Sequence, residues 1–218
     1  DKAAHDYTRE LICRHVSGRL KVAPEHTSDK VLYQMRKPSF QLFYEFKRIF
    51  DRINKEENLK QQIIPYFISS HPGCQEEDMA ELAVITKDLD FHLEQVQDFT
   101  PTPMTVSTEA WYTGYDPYTL EPVFCARTQR EKLAQRQFFF WYKKDERANI
   151  ERELRRIGRA DLIGKLYSGT GFANRHAVYD DKAIGSRPDY SQKSRKKKPN
   201  EKASVSYTHL TLPTNREV

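Results

Sequence analysis

The pattern of apolar and polar positions predicts an α/β fold. Short apolar runs at 19–23, 62–69 and 93–99 are bounded by polar or turn residues, as buried strands are. Helical periodicity predicts helices between them, over residues 38–56 and 76–90. A β-α-β-α-β order predicts a parallel sheet with right-handed crossovers. We therefore expect the three strands to lie side by side, with both helices on one outer face.

The character of the sequence changes after residue 106. Residues 107–166 begin as an aromatic, irregular segment and continue with helical patterns over 129–143 and 145–157. The run FFFWY within them is not a base-stacking platform, because consecutive helical residues point in different directions, and we expect it to pack these helices onto the sheet. From residue 167 onward Gly, Ser, Lys and Pro dominate, which predicts a disordered basic tail over 167–203.

Positive charge is concentrated in that tail. The chain has a net charge of +5, but residues 182–203 alone carry eight basic and two acidic side chains, and the rest is close to neutral. A near-neutral body does not indicate a nucleic-acid-binding domain. The alternative function is therefore a nucleic-acid-associated protein that binds phosphate only through the tail, with SRKKKP at 194–199 as the contact.

Three cysteines, Cys13, Cys74 and Cys125, lie far apart and form neither a disulfide framework nor a CxxC pair. This usage favours a reducing compartment, and we expect a cytoplasmic protein. The chain contains no apolar stretch of about 18 to 20 residues that would cross a bilayer, so no membrane partner is expected. The opening residues, DKAAHDYTRE, fit a fragment better than a secreted precursor.

Three segments carry a family resemblance: HVSGRLKVAPEHTSDKVLYQMRKPS, IIPYFISSHPGCQEEDM and LEQVQDFTPTPMT. Together they resemble the YgiQ family of radical S-adenosylmethionine (SAM) proteins, over about residues 7–166. The resemblance implies that residues 1–106 form the C-terminal half of a partial (βα)6 barrel, with its fourth, fifth and sixth strands, followed by a helical extension over 107–166.

The same resemblance implies the chemistry. In such enzymes a 4Fe–4S cluster, reduced by a donor such as flavodoxin or ferredoxin, cleaves SAM to a 5′-deoxyadenosyl radical, which acts here on an unknown substrate. A CxxxCxxC loop near the first strand holds the cluster, and this chain contains no such loop. The three distant cysteines do not replace it, so we expect no metal site here and an inactive fragment.

Ligands of parallel barrels bind at the carboxyl ends of the strands, which here are residues 24–27, 70–73 and 100–103. Under the resemblance the candidate SAM-binding residues are Glu25, His26, Phe67, Ile68, His71, Pro72 and Gly73. Gln95 and Gln97 alternate along the third strand and are candidates for the substrate side. No catalytic residue is assigned.

Structural roles compete with several of these assignments. Glu25 could instead neighbour a helix cap or pair with Lys21, and both histidines could be loop residues whose hydrogen bonds are satisfied within the protein. Phe67 and Ile68 would belong to the core by default. Cys74 and Gln75 stand where the wider superfamily usually has Glu and Thr, so its contacts at those positions are not carried over.

The last residues, SVSYTHLTLPTNREV, resemble the translation of a sequencing adapter. The resemblance covers residues 205–218. Residues 204–218 are therefore predicted to be non-native, and no function is assigned to them.

Overall fold

The computed structural model describes residues 2–168 of the chain. The predictions for the tail at 169–203 and for residues 204–218 fall outside the described residues. Three strands and eight α-helices are formed within them. The strands are β1 (Arg19–Glu25), β2 (Gln62–Ser69) and β3 (Gln95–Asp98). The helices are α1 (Lys2–Glu10), α2 (Asp29–Gln34), α3 (Gln41–Glu56), α4 (Glu76–Asp88), α5 (Val106–Thr113), α6 (Gln129–Arg136), α7 (Arg147–Arg156) and α8 (Asp161–Tyr167).

The three strands form one parallel sheet in the order β1-β2-β3, as the sequence predicts. β2 lies in the centre, because its nearly continuous apolar run fits a strand that has a neighbour on each side.

The first strand is longer than predicted. The pattern predicts a strand that ends at residue 23, but β1 continues through Pro24 to Glu25, with an irregular register between Val22 and Glu25. Proline is tolerated there because β1 is an edge strand of the described sheet and the irregularity removes ladder hydrogen bonds from this end. The extension moves Glu25 from a loop to the last position of the strand.

The two faces of the sheet differ in how far other parts of the protein bury them. The ring of Phe67 lies 6.4 Å from that of Phe40 at the start of α3, and Phe67 is fully buried. The opposite face carries Ile68 of β2 beside Gln97 of β3, and Ile68 is half-buried while Gln97 is exposed. Helices therefore cover the first face, whereas the second face is exposed at Gln97 and partly exposed at Ile68.

The extension packs against α4 and the start of β3. Phe138 and Phe139 are fully buried, Trp141 donates its indole N–H to Thr86 Oγ1 at 3.2 Å, and Tyr142 donates its hydroxyl to the Leu93 carbonyl at 3.2 Å. The predicted packing role of the aromatic run is thus confirmed. Its helix is shorter than predicted, because α6 ends at Arg136 and a 3₁₀ turn follows. Within residues 2–168, no helix has both the length and the apolar character needed to cross a bilayer.

Candidate functional site

A pocket of about 320 Å³ lies at the carboxyl ends of the three strands, and we call it the strand-end pocket. Each strand contributes to its lining, with Glu25 from β1, Ile68 from β2, and Gln97 and Asp98 from β3. His71 lines it from the loop that follows β2, and Ser107 lines it from the first turn of α5. The sheet is parallel, so the carboxyl ends of all three strands meet at this one edge.

Glu25 has an unusual backbone and an incompletely paired carboxylate. Its φ is 68°, in the left-handed region that is uncommon for residues other than glycine. Oε1 accepts a hydrogen bond from Lys37 Nζ at 3.2 Å, whereas Oε2 is buried and has no hydrogen-bond partner among the described residues. The partner is Lys37 rather than Lys21, the alternative that the sequence offered. A buried carboxylate oxygen without a donor is costly unless a ligand supplies one.

His71 is held on both sides of its ring. Nδ1 lies 2.9 Å from the Pro72 carbonyl, which can only accept, so Nδ1 carries the proton. Nε2 then accepts from Ser107 Oγ at 2.9 Å. Burial lowers the pKa of His71 to about 4, so the ring is neutral near pH 7. His71 therefore presents a fixed, uncharged imidazole to the pocket, and a ligand contact through Nε2 would require Ser107 to move.

His26 does not line the strand-end pocket. It is fully buried, Nδ1 accepts the Ser28 N–H at 3.0 Å, and Nε2 lies 3.5 Å from Cys74 Sγ. Burial lowers the pKa of His26 to about 4 and raises that of the Cys74 thiol, so both groups are neutral. The structure thus gives His26 the role of a loop histidine whose hydrogen bonds are made within the protein.

The remaining candidates divide between the two faces of the sheet. Ile68 and Gln97 line the pocket, while Phe67 lies on the helix-covered face. Gln95 shares the pocket-side face through its register with Tyr66, although it lies further from the strand end. Pro72 and Gly73 shape the loop after β2, where Gly73 has a φ of 85° and donates its N–H to the Phe124 carbonyl at 2.8 Å.

Three residues at this edge were missed by the sequence analysis. Lys37 pairs with Glu25. Ser70 has a φ of 61° and a buried hydroxyl without a partner among the described residues. Gln135 of α6 is 1% exposed and bonds the backbone of the loop after β2. Gln135 carries no local sequence signal, since its partners lie more than 60 positions away.

The fold and this pocket define an α/β protein with a candidate ligand site at the carboxyl edge of a parallel sheet. A family model described as "Domain of unknown function (DUF3362)" matches residues 94–210, more than half of the chain, and the chain belongs to that family. The match, which we call the family domain, covers β3 and the whole helical extension. No solved structure gives a significant match.

Curated relatives share the name UPF0313 protein. One from Bacteroides thetaiotaomicron is 80% identical over 167 residues, which are 77% of this chain and 27% of the relative. One from Porphyromonas gingivalis is 66% identical over 78% of this chain and 27% of its own length. One from Methanosarcina mazei is 41% identical over 74% of this chain and 26% of its own length.

These relatives are of the YgiQ family, which confirms the family resemblance that the three motifs carry. The chain spans about a quarter of the length of the relatives it matches. Any activity of the whole protein therefore belongs to a larger molecule than the part described. The interpretation of residues 204–218 as adapter-derived stays a prediction.

Proposed function

We propose that residues 1–106 supply the C-terminal half of a radical SAM barrel and that the strand-end pocket binds SAM in the whole protein. The observation that carries the proposal is the position of the pocket, which gathers side chains from the carboxyl ends of three adjacent parallel strands. Barrel enzymes bind their ligands at this edge. The family relationship supports the same assignment.

The polar groups of the pocket fit SAM. Glu25 Oε2 lacks a donor, and both the ribose hydroxyls and the ammonium group of SAM are donors. Ile68 offers an apolar surface suited to a flat ring such as adenine. The volume of about 320 Å³ is at the lower end of the roughly 300 to 1,000 Å³ usual for small-molecule pockets. A second wall from the rest of the protein would enlarge and close such a site.

The described residues of this chain do not fit the iron–sulfur cluster. Among residues 2–168 there is no group of three or more His, Cys, Asp or Glu side chains placed to hold a metal. Cys74 is a buried neutral thiol, and iron–sulfur clusters are held by thiolates. The proposal therefore assigns the cluster to another part of the whole protein, with flavodoxin or ferredoxin as its electron donor.

Cluster and SAM would together supply the radical that acts on substrate, and the residues described here would position SAM. Glu25 would accept hydrogen bonds from the sugar or the ammonium group, and its pairing with Lys37 limits the freedom of the carboxylate. His71 would present a neutral ring edge. Gln97, exposed on the pocket-side face, would lie on the substrate side. The substrate itself stays unassigned.

The proposal is tested in a full-length hybrid, in which residues 2–168 replace the homologous segment of the Bacteroides thetaiotaomicron relative. The hybrid is reconstituted anaerobically with iron and sulfide, reduced with dithionite and given SAM. We expect methionine and 5′-deoxyadenosine in equal amounts, and neither product without the reductant. A hybrid that assembles a stoichiometric cluster and neither binds nor cleaves SAM contradicts the proposal.

A further inference from the structure

We propose that Gln135 is a positioning residue that holds the loop after β2, residues 70–74, in the shape that the strand-end pocket requires. The identity of the ligand rests on the function proposed above, whereas the effect on the loop does not. Gln135 lies on α6, within the family domain, and the loop it holds lies outside that domain. The inference therefore gives the family domain a function in shaping the site.

The side-chain amide of Gln135 joins both ends of the 70–74 loop. Its Oε1 accepts the Ser70 N–H at 2.7 Å, and its Nε2 donates to the Cys74 carbonyl at 2.8 Å. Gln135 is 1% exposed, so water does not compete for either bond. Both bonds require one group that accepts and donates at once, which is a property of an uncharged amide.

The residue that Gln135 holds has a strained backbone. Ser70 has a φ of 61°, a conformation that is unfavourable for residues other than glycine. Strain of this kind persists where the surrounding contacts fix it, and it is frequent at ligand-binding sites. The bond to Gln135 is made by the N–H of this same residue, so the amide fixes the turn at the residue with the strained backbone.

Two further hydrogen bonds from the family domain hold the same loop. Ser107 bonds His71 Nε2 at 2.9 Å, and the Phe124 carbonyl accepts the Gly73 N–H at 2.8 Å. Gln135, however, bonds two loop residues through one buried side chain. Its loss should therefore release the loop near Ser70 and Cys74 while the other two contacts remain.

Three variants of the full-length hybrid separate positioning from general stability. Gln135→Met keeps the length of the side chain and removes both hydrogen bonds. Gln135→Glu is nearly isosteric, but a carboxylate can only accept hydrogen bonds, so it has no proton to donate to the Cys74 carbonyl. Once protonated, the same group accepts from Ser70 and donates to Cys74. Gln137→Met is the matched control, because the Gln137 amide donates to Ala134 within its own helical segment at 2.9 Å.

The measurements are SAM affinity by titration calorimetry, iron content, and amide hydrogen exchange of residues 70–75. We expect Gln135→Met to raise the SAM dissociation constant at least tenfold and to speed exchange in the loop, with unchanged iron content. Because position 135 is buried, the pKa of a carboxyl there should be raised. Relative to the unmodified hybrid at the same pH, Gln135→Glu should therefore bind SAM more tightly and exchange the loop amides more slowly at pH 6 than at pH 8. Gln137→Met should change neither affinity nor exchange.

Equal exchange of residues 70–75 in Gln135→Met and in the unmodified hybrid would overturn the inference. So would an equal loss of SAM affinity in Gln135→Met and Gln137→Met, since a general loss of stability would give that result. If the unmodified hybrid assembles a stoichiometric cluster and binds no SAM, the proposed function fails. Faster loop exchange in Gln135→Met than in Gln137→Met would then still support the positioning role, and equal rates would contradict it.

Discussion

Arg136 of α6 donates through Nη1 to Asp98 Oδ2 at the end of β3, at 3.0 Å. The other carboxylate oxygen of Asp98 accepts the Ser69 hydroxyl at 2.6 Å, so one side chain joins α6 to the ends of β2 and β3. Gln135, the preceding residue, bonds the loop after β2. Two consecutive residues of the extension thus attach it to the carboxyl edge of the sheet.

The ion pair should contribute little to stability by itself. Arg136 is 43% exposed at its side chain, and exposed pairs usually contribute about 0.5 kcal/mol. We expect Arg136→Met to lower the free energy of unfolding of the 218-residue chain by about 0.5 to 1 kcal/mol in urea at low salt, and by less at 1 M salt. Arg130→Met, on the exposed face of the same helix, is the control and should have no effect. A loss above about 2 kcal/mol would indicate a different role for Arg136.

The glycine after Pro72 has both a conformational and a steric requirement. A Cβ at position 73 would lie 3.0 Å from Gln34 Cγ, and φ is 85°. Gly158 has a similar φ of 74° and open space around it, which makes Gly158→Ala a control for strain alone. We expect Gly158→Ala to cost about 1 to 2 kcal/mol and Gly73→Ala to cost more, measured by urea unfolding. Equal losses would show that Gln34 moves aside at no cost.

Two buried histidines should make stability depend on pH. The folded pKa values of His26 and His71 are lowered from 6.5 to about 4, because burial disfavours the charged ring. The unfolded chain therefore binds protons first as pH falls, and stability declines between about pH 6.5 and 4. Each histidine contributes at most about 3 kcal/mol of this decline.

Urea unfolding across this pH range tests the prediction. His71→Gln should flatten the dependence, whereas His15→Gln, at an exposed position, should leave it unchanged. A pH profile that His71→Gln does not alter would show that His71 is protonated as easily in the folded state as in the unfolded one.

The strands were predictable to different degrees. β2 was predicted with its observed bounds, because an apolar run bounded by polar residues is a strong local signal. The end of β1 was missed, because tolerance for Pro24 depends on edge position, which a local pattern does not encode. Helix α5 was taken as irregular, although Thr105 caps its start and Gly114 ends it with a φ of 80°. Those two residues were the available signals.

The candidate site was predictable where it depends on strand ends. Parallel strands place Glu25, Ile68 and Gln97 at one edge of the sheet independently of how the rest of the chain folds. The structure brings the three residues to one pocket. Gln135 is different, because its contacts depend on how the extension docks. Nothing in the neighbouring sequence indicates that Gln135 of α6 is buried. Nor does it indicate that the next glutamine along the chain, Gln137, bonds within its own helical segment.

The isolated chain should assemble no iron–sulfur cluster. Three thiolates at close spacing are needed, whereas the cysteines of this chain are free, distant from one another in sequence, and buried or half-buried. After anaerobic reconstitution with iron and sulfide, we expect no visible charge-transfer absorbance and no reduced-cluster EPR signal. The full-length hybrid is the positive control. A stoichiometric cluster in the isolated chain would show that the assignment of the cluster to another part of the protein is wrong.

The proposed SAM site depends most on Glu25, whose buried oxygen lacks a donor among the described residues at the carboxyl edge of the sheet. A matched control is Glu94, which pairs with Arg19 at 2.6 Å near the opposite ends of the strands. The decisive measurement is calorimetric titration of SAM into the reconstituted full-length hybrid and its Glu25→Ala and Glu94→Ala variants. A hydrogen bond to a charged group contributes about 1.5 to 3 kcal/mol, so Glu25→Ala should raise the dissociation constant about 10- to 100-fold. Iron content, and the affinity of Glu94→Ala, should be unchanged. Equal SAM affinity in all three proteins would contradict the assignment of the strand-end pocket as the SAM site.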